Sequence, residues 1–167
     1  MVPDPVITYR PGDPKDIPAL VDLLTRCDAT IAEWAPPGYV PPPTEVDTDR
    51  LAQRMADPAT GVTVADRDGT AVGFSTIRPG DEPGHGHISN LFVDPDHWGE
   101  GIGRELLARA ERMMRERGWS GGELSTQSLN ARARRLYERA GWRDTGGRHP
   151  HEEDGLEMAE YERDLLG

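Results

Sequence analysis

Gly99, Gly101 and Gly103 stand two apart, between a short apolar run, Leu91-Phe92-Val93, and a long amphipathic stretch. Glycine carries no Cβ, so a turn built from it lets several backbone N–H groups converge on one anion. A helix that starts at such a turn adds its unpaired N-terminal amides and the positive end of its dipole. That end contributes about 0.3–1 kcal/mol per charge when exposed. Trp98, Glu100 and Ile102 complete the turn, and Arg104 adds a cation suited to a phosphate. Further on, Asn130 opens a second helical stretch that carries Tyr137 and closes on Gly141-Trp142. Helical spacing puts Ala133, Leu136, Tyr137 and Ala140 on one face, with Arg132, Arg134, Arg135, Glu138 and Arg139 on the others. A phosphate cradle followed by a tyrosine hydroxyl suits transfer of a group from a phosphate-bearing carrier.

Spacing removes two other phosphate motifs. The chain has no G-x-x-x-x-G-K-[ST], which excludes a P-loop. The dinucleotide fingerprint needs G-x-G-x-x-G on the first helix of a βαβ unit. Here Gly99-x-Gly101-x-Gly103 runs on to Leu106 in the second half of the chain.

The elements that position these residues are read from periodicity. A strand is expected over Val6–Arg10, then a helix capped at Asp13-Pro14 with Ile17, Leu20, Val21 and Leu24 as its core stripe. Prolines make Trp34–Pro43 a loop, and a short helix follows from Glu45 to Ala56. Val62–Ala65, the turn Asp66–Gly69 and Ala71–Ile77 read as a hairpin. A loop over Pro79–Gly86 precedes a strand, His87–Val93. The long helix spans Ile102–Arg117, with Ile102, Leu106, Ala110 and Met113 inward, and Glu105/Arg109 and Glu111/Arg115 as surface pairs. Glu123–Thr126 is a strand, Ser128–Arg139 a helix, and Trp142–Gly146 and Leu156–Leu165 are strands around a polar loop, Gly147–Gly155. That order predicts an α+β fold whose mixed, mostly antiparallel central sheet is flanked by helices. A right-handed crossover would place strand 123–126 parallel to strand 87–93.

At 167 residues the chain fits one domain, 1–167. Its formal charge of −11 makes nucleic acid a poor partner and favours a cationic one. No apolar run approaches the roughly 20 residues that span a membrane. Met1-Val2-Pro3-Asp4-Pro5 lacks the basic and apolar regions of a secretory leader. Cys27 is the only cysteine, so a reducing cytoplasm is expected. His149, His151, Glu152, Glu153 and Asp154 lack metal-ligand spacing and read as a solvated loop; no metal is expected.

With these residues in place, the chain resembles the GCN5-related N-acetyltransferase (GNAT) superfamily. Its main signature, [Arg/Gln]-x-x-Gly-x-[Gly/Ala] between a strand and a long helix, is matched by Trp98–Gly103 except at Trp98. Its second motif resembles Asn130-x-x-Ala133-x-x-Leu136-Tyr137-x-x-x-Gly141-Trp142 throughout. The resemblance implies acetyl-CoA as cofactor, its pyrophosphate on the Trp98–Arg104 turn and its pantetheine arm paired with the backbone of Leu91, Phe92 and Val93. It further implies Asn130 and Ala133 beside that arm, Tyr137 as the acid that protonates the departing thiolate, and one parallel strand pair at the CoA site. The residues alone also allow Asn130 as a helix N-cap and Tyr137 as a core tyrosine. Homodimers are common in the family.

An amine of pKa near 10.4 is about 0.04% neutral at pH 7, so its proton needs a route out before attack. Where the family places a carboxylate, this chain has Ser89, which is not a base. His87, Glu123 and a water chain through Ser89 are the candidates. Trp34 and Tyr39 flank the proline-rich loop, where the resembling family builds its acceptor pocket. They suit stacking on a substrate, or packing of the loop itself. The expected activity is acetyl transfer to a primary amine of a small molecule or protein. The alternatives are a noncatalytic acyl-CoA-binding module and a transferase for another acyl group.

Overall fold

The computed structural model describes residues 6–41 and 43–166. Met1–Pro5, where no leader is expected, Pro42 of the proline-rich loop and Gly167 lie outside the described residues. In chain order the elements are β1 (Ile7–Pro11), α1 (Ile17–Ile31), α2 (Thr44–Ala56), β2 (Gly61–Arg67), β3 (Thr70–Pro79) and β4 (His85–Val93). Then come α3 (Ile102–Glu116), β5 (Gly121–Gln127), α4 (Ala131–Arg139), β6 (Arg143–Pro150) and β7 (Glu157–Asp164). The strands form one seven-stranded sheet in the order β1-β2-β3-β4-β5-β7-β6. Each neighbouring pair is antiparallel except β4–β5, where His85–Ile88 lies parallel to Gly121–Leu124. This is the expected α+β sheet with its single parallel pair.

The helices cover both faces. On one, Leu20, Leu23 and Leu24 of α1 and Leu51 of α2 pack against Val64 and Phe74. Phe74 stacks on Phe92 across the β3–β4 register, ring centroids 5.9 Å apart. On the other face, Leu107, Ala110 and Met114 of α3 share a core with Tyr137 of α4, Trp142 and Tyr161. The inward stripe of α3 ends on Met114, and Met113 turns toward β2, where its sulfur accepts from Thr63 Oγ1 at 3.4 Å.

Several boundaries differ from the sequence expectation for local reasons. The β2–β3 hairpin turns on two residues, Asp68 and Gly69, both at positive φ, so the strands reach Arg67 and Thr70. β4 starts at His85, because Gly80 N donates to His85 O and closes the loop early. Asn130 Oδ1 accepts from Ala133 N at 3.1 Å, so α4 begins after the cap rather than at Ser128. β6 continues through Pro150: its pairing breaks between Asp144 and Arg148 and then resumes against Ala159. Two adjacent glycines in that break, Gly146 and Gly147, hide the strand's alternation and read as a loop.

Glu111 differs most. The periodicity makes it a surface partner of Arg115, yet it is 8% exposed and accepts from Trp142 Nε1 at 2.8 Å. Arg163 Nε lies 3.6 Å from the same oxygen, and Arg115 instead donates to Leu165 O. A buried carboxylate needs such partners, and the partners need it. Glu111→Ala should lower the unfolding free energy by about 2–4 kcal/mol in urea denaturation, and Glu111→Gln by less, because the amide oxygen still accepts from Trp142. An Ala variant within 0.5 kcal/mol of the parent would show that the tie contributes nothing.

Candidate active site

β4 and β5 pair only as far as Ile88 and Leu124, although β4 continues to Val93 and β5 to Gln127. The departure coincides with a bulge: Ile77 faces Ile88 and Thr76 faces Asn90, so Ser89 is the extra residue. Ser89 Oγ is buried without a hydrogen-bond partner among the described residues. Where the strands part, a cavity of about 1380 Å³ opens. Its walls are Ile88–Val93, the turn 97–104, Ser125–Gln127 and the inner face of α4. Backbone groups on the unpaired side of β4 are therefore open to an extended ligand.

At one end lies the glycine turn. Pro95–His97 make a short 3-10 turn capped by Asp94, whose Oδ1 accepts from Asp96 N. Gly99 and Gly101 take φ of 83° and 84°, a conformation that side chains with a Cβ resist. A Cβ built on either meets nothing within 4 Å, so the turn faces open space. α3 begins at Ile102 with no side chain capping it, which leaves its first amides free. Glu100 would oppose an anion here, but its carboxylate is engaged by His97 Nδ1 at 2.8 Å and Arg67 at 3.4 Å. Trp98 donates from Nε1 to Val93 O at 3.0 Å, and the Arg132 guanidinium sits 4.0 Å from its ring centroid. Arg104, Arg132, Arg135 and Arg139 all line the cavity.

Midway, Tyr137 packs against Trp142 and Tyr161, ring centroids 6.4 and 6.1 Å away. Tyr161 spends its hydroxyl on Arg134 and Glu138, both at 2.8 Å. Tyr137 lines the cavity instead, and burial alone pushes its phenol pKa up, so the hydroxyl keeps its proton throughout the working range. Ala133 and Asn130 line the same wall.

Elsewhere on the wall, Trp34 joins carboxyls from three elements: Asp28 on α1, Asp47 on α2 and Asp154 in the β6–β7 turn. Burial first, then the charges of Asp47 and Asp154, raise the Asp28 pKa to about 6. The same carboxyls act on Tyr39, whose buried hydroxyl lacks a hydrogen-bond partner among the described residues; burial and these charges raise its pKa to about 12. The 149–154 segment is an exposed strand end and turn, tied down at two points. His149 and Pro150 belong to β6, Asp154 Oδ1 lies 3.3 Å from His151 Nδ1, and Glu153 pairs with Arg50 of α2, closing this end. Arg54 donates to Asn90 Oδ1, which also accepts from Thr76 Oγ1 at 2.8 Å.

The structure separates the candidate bases. Ser89 lines the cavity, whereas His87 and Glu123 do not. They face each other at the start of the parallel pair, where Glu123 Oε1 accepts from Asp81 N at 2.7 Å and stands 3.5 Å from His87 Nδ1. Burial, then the charge of Arg78, lowers the His87 pKa. Sequence reasoning missed Asp28, Asp47, Asn90 and Arg54, since each sits on a polar face that periodicity assigns to solvent; Asp154 it named only as part of a polar loop.

The sheet with its parted parallel pair, the glycine turn and the buried tyrosine have the arrangement expected of an acetyltransferase, and comparison with known proteins shows the family. Residues 28–142 match the model of the Acetyltransferase (GNAT) family, and the chain belongs to that family. It is 37% identical over 142 residues to the IAA acetyltransferase of Azospirillum brasilense, covering 84% of this chain and 87% of that one. It is 36% identical over 126 residues to the mycothiol acetyltransferase of Propionibacterium freudenreichii subsp. shermanii, covering 70% of this chain but only 40% of that protein. The PaiA N-acetyltransferase of Thermoplasma acidophilum, solved in complex with coenzyme A, shares the fold at TM-score 0.74 and 17% identity, over 95% of this chain and 99% of that one. Proteins of this family use acetyl-CoA. The cavity fits it: uncapped helix amides, a turn open to a phosphate, nearby arginines and an unpaired strand side.

Asp28 yields a test. Its folded-state pKa, about 6, exceeds the roughly 3.9 of an unfolded aspartate, so the folded protein holds the proton more tightly. Its stabilising contribution is full below about pH 4 and is lost as pH rises through about 6. Asp28→Asn should therefore stabilise the protein by about 1 kcal/mol at pH 7.5, after discounting for partial exposure, with the gain vanishing below pH 4. Thermal melts across that range check it; a gain independent of pH would refute the burial of charge as its cause.

Proposed function

We propose that the protein is an acetyl-CoA-dependent N-acetyltransferase that acetylates a primary amine on a small, cationic molecule or a protein. The observation that carries this reading is the continuous cavity joining the glycine turn, Tyr137 and the acidic end near Trp34. Names of the relatives, mycothiol acetyltransferase and IAA acetyltransferase, support acetyl transfer. The chain spans less than half the length of the mycothiol enzyme, so the acceptor is assigned from the cavity's own chemistry.

In this reading Trp98–Arg104 hold the pyrophosphate on backbone amides, and Leu91, Phe92 and Val93 present strand-like backbone to the pantetheine arm. Bound there, acetyl-CoA supplies an activated acyl thioester. Asn130 caps α4, and Ala133 leaves room beside it. Tyr137 holds a proton at Oη for the departing sulfur, a role supported by its burial and its place on the cavity wall. Asp28, Asp47 and Asp154 favour an ammonium group beside Trp34; Tyr39, which the sequence suggested for the acceptor, feels the same charges but is not part of the cavity lining. The amine's proton leaves past Ser89, whose unpartnered hydroxyl serves as a hydrogen-bond relay rather than a base. His87 and Glu123 take no part. A reducing cytoplasmic setting suits the free thiol of Cys27.

Tyr137→Phe should lower kcat by about 10²–10⁴-fold, the usual span of general acid help, with the CoA Kd changed less than threefold. Thiol release with an amine panel and calorimetry measure the two; full turnover in the variant would remove the acid role. Gly101→Val should weaken CoA binding at least tenfold by placing a branched Cβ in the turn, at a positive φ that resists it. CoA binding without thiol release for any amine in the panel would leave a noncatalytic acyl-CoA-binding module.

A further inference from the structure

The glycine turn departs from its family pattern at Trp98, where an indole stands in place of Arg or Gln. The indole cannot accept a phosphate's charge, and its one donor is spent on Val93 O. That bond fixes the ring at the cavity wall. Over the ring lies the guanidinium of Arg132, 4.0 Å from the centroid and carried by the first turn of α4. Arg132 has no carboxylate partner among the described residues, whereas Arg67, Arg109 and Arg134 are each paired. Stacking uses only the face of a guanidinium. Its N–H donors lie in the plane and stay free for a bidentate contact with an oxyanion.

We propose that Arg132 supplies, from α4, the side-chain cation that position 98 lacks, and that Trp98 serves as the platform holding it against the coenzyme's pyrophosphate. This rests on the acetyl-CoA reading and extends it to a named binding residue. Arg132 and Trp98 both line the cavity beside Gly99 and Gly101. Arg104, Arg135 and Arg139 line it too, yet of these four arginines only Arg132 is pinned on an aromatic face at the turn. Seen this way, the substitution at position 98 moves the cation from the loop to the helix opposite. A pinned arginine also loses less side-chain freedom on binding than a free one.

The test is calorimetric binding of CoA and of dephospho-CoA, which keeps the pyrophosphate but lacks the 3′-phosphate. Arg132→Ala should weaken both by roughly 10- to 100-fold, as expected for a charge-assisted hydrogen bond. The loss should shrink in 1 M salt, where the charge is screened. Trp98→Ala should weaken both ligands severalfold, and adding Arg132→Ala to it should cost less than in the native background. Trp98→Arg, placed in the Arg132→Ala protein, should recover affinity by restoring a cation at the turn. Circular dichroism melts confirm that each variant folds. A loss confined to CoA would assign Arg132 to the 3′-phosphate and overturn the proposal. So would unchanged affinity in Arg132→Ala, or a loss that salt does not alter. Failure of the native protein to bind either ligand would instead defeat the acetyl-CoA reading on which the proposal stands.

Discussion

The cavity exists because one pair of parallel strands is allowed to come apart. β4 and β5 share four register positions and then separate at Ile88 and Leu124. Continuous pairing to Val93 and Gln127 would fill the gap with backbone hydrogen bonds and leave no channel between α3 and α4. Ser89 enforces the separation locally, since an extra residue bends a strand and increases its twist. The antiparallel partners on either side hold the parted strands in place: β3 follows β4 to Val93, and β7 follows β5 to Gln127. Each strand is thus satisfied on its outer side and free on its inner one.

A gap of this kind would close by collapse unless its walls were tied together. Glu111 does this between the two helices that flank it. It sits on α3 and accepts from Trp142, the residue that follows α4 after Gly141. Trp142 in turn packs edge-on against Tyr137. The position of the tyrosine hydroxyl therefore depends on a buried hydrogen bond one helix away. Arg134, which binds both Tyr161 and Asp144, steadies the outer side of α4. These ties place the glycine turn, the start of α4 and Tyr137 on one rigid frame.

The fold was legible because its long elements carry strong apolar periodicity. Ile102, Leu106 and Ala110 announced α3, and the Leu20–Leu24 stripe announced α1; both hold in the structure. The glycine turn was legible because glycines at fixed spacing have few other uses. Errors fell where a local exception outweighed the pattern. Glu111 was read as a surface group because i,i+4 spacing cannot reveal a tryptophan 31 residues on. β6 was cut short because a glycine bulge interrupts its alternation. His87 and Glu123 fit a base by residue type, but register places them where the strands are still paired, before the cavity opens. The acceptor end was illegible for a different reason. Asp28, Asp47 and Asp154 come from three separate elements, and only the tertiary fold brings them together.

Charge then divides the cavity in a way that the net charge conceals. At −11 the molecule as a whole repels a polyphosphate anion. Screening limits that field to about 8 Å at physiological salt, so what a bound anion feels is set by its neighbours. At the glycine turn those neighbours are uncapped amides and arginines, and the intruding carboxylate of Glu100 is paired with Arg67 and hydrogen-bonded to His97. Around Trp34 they are carboxyls, with Arg50 paired to Glu153 and Arg54, hydrogen-bonded to the neutral amide of Asn90, keeping its charge beside Asp47. A carrier bound in the proposed orientation would have its phosphates at the cationic end. An amine reaching its acyl group would come from the anionic one, toward which the acidic surface draws cations. In the proposed orientation the two regions would sort two reactants of opposite charge, with Tyr137, whose proton burial holds, on the cavity wall.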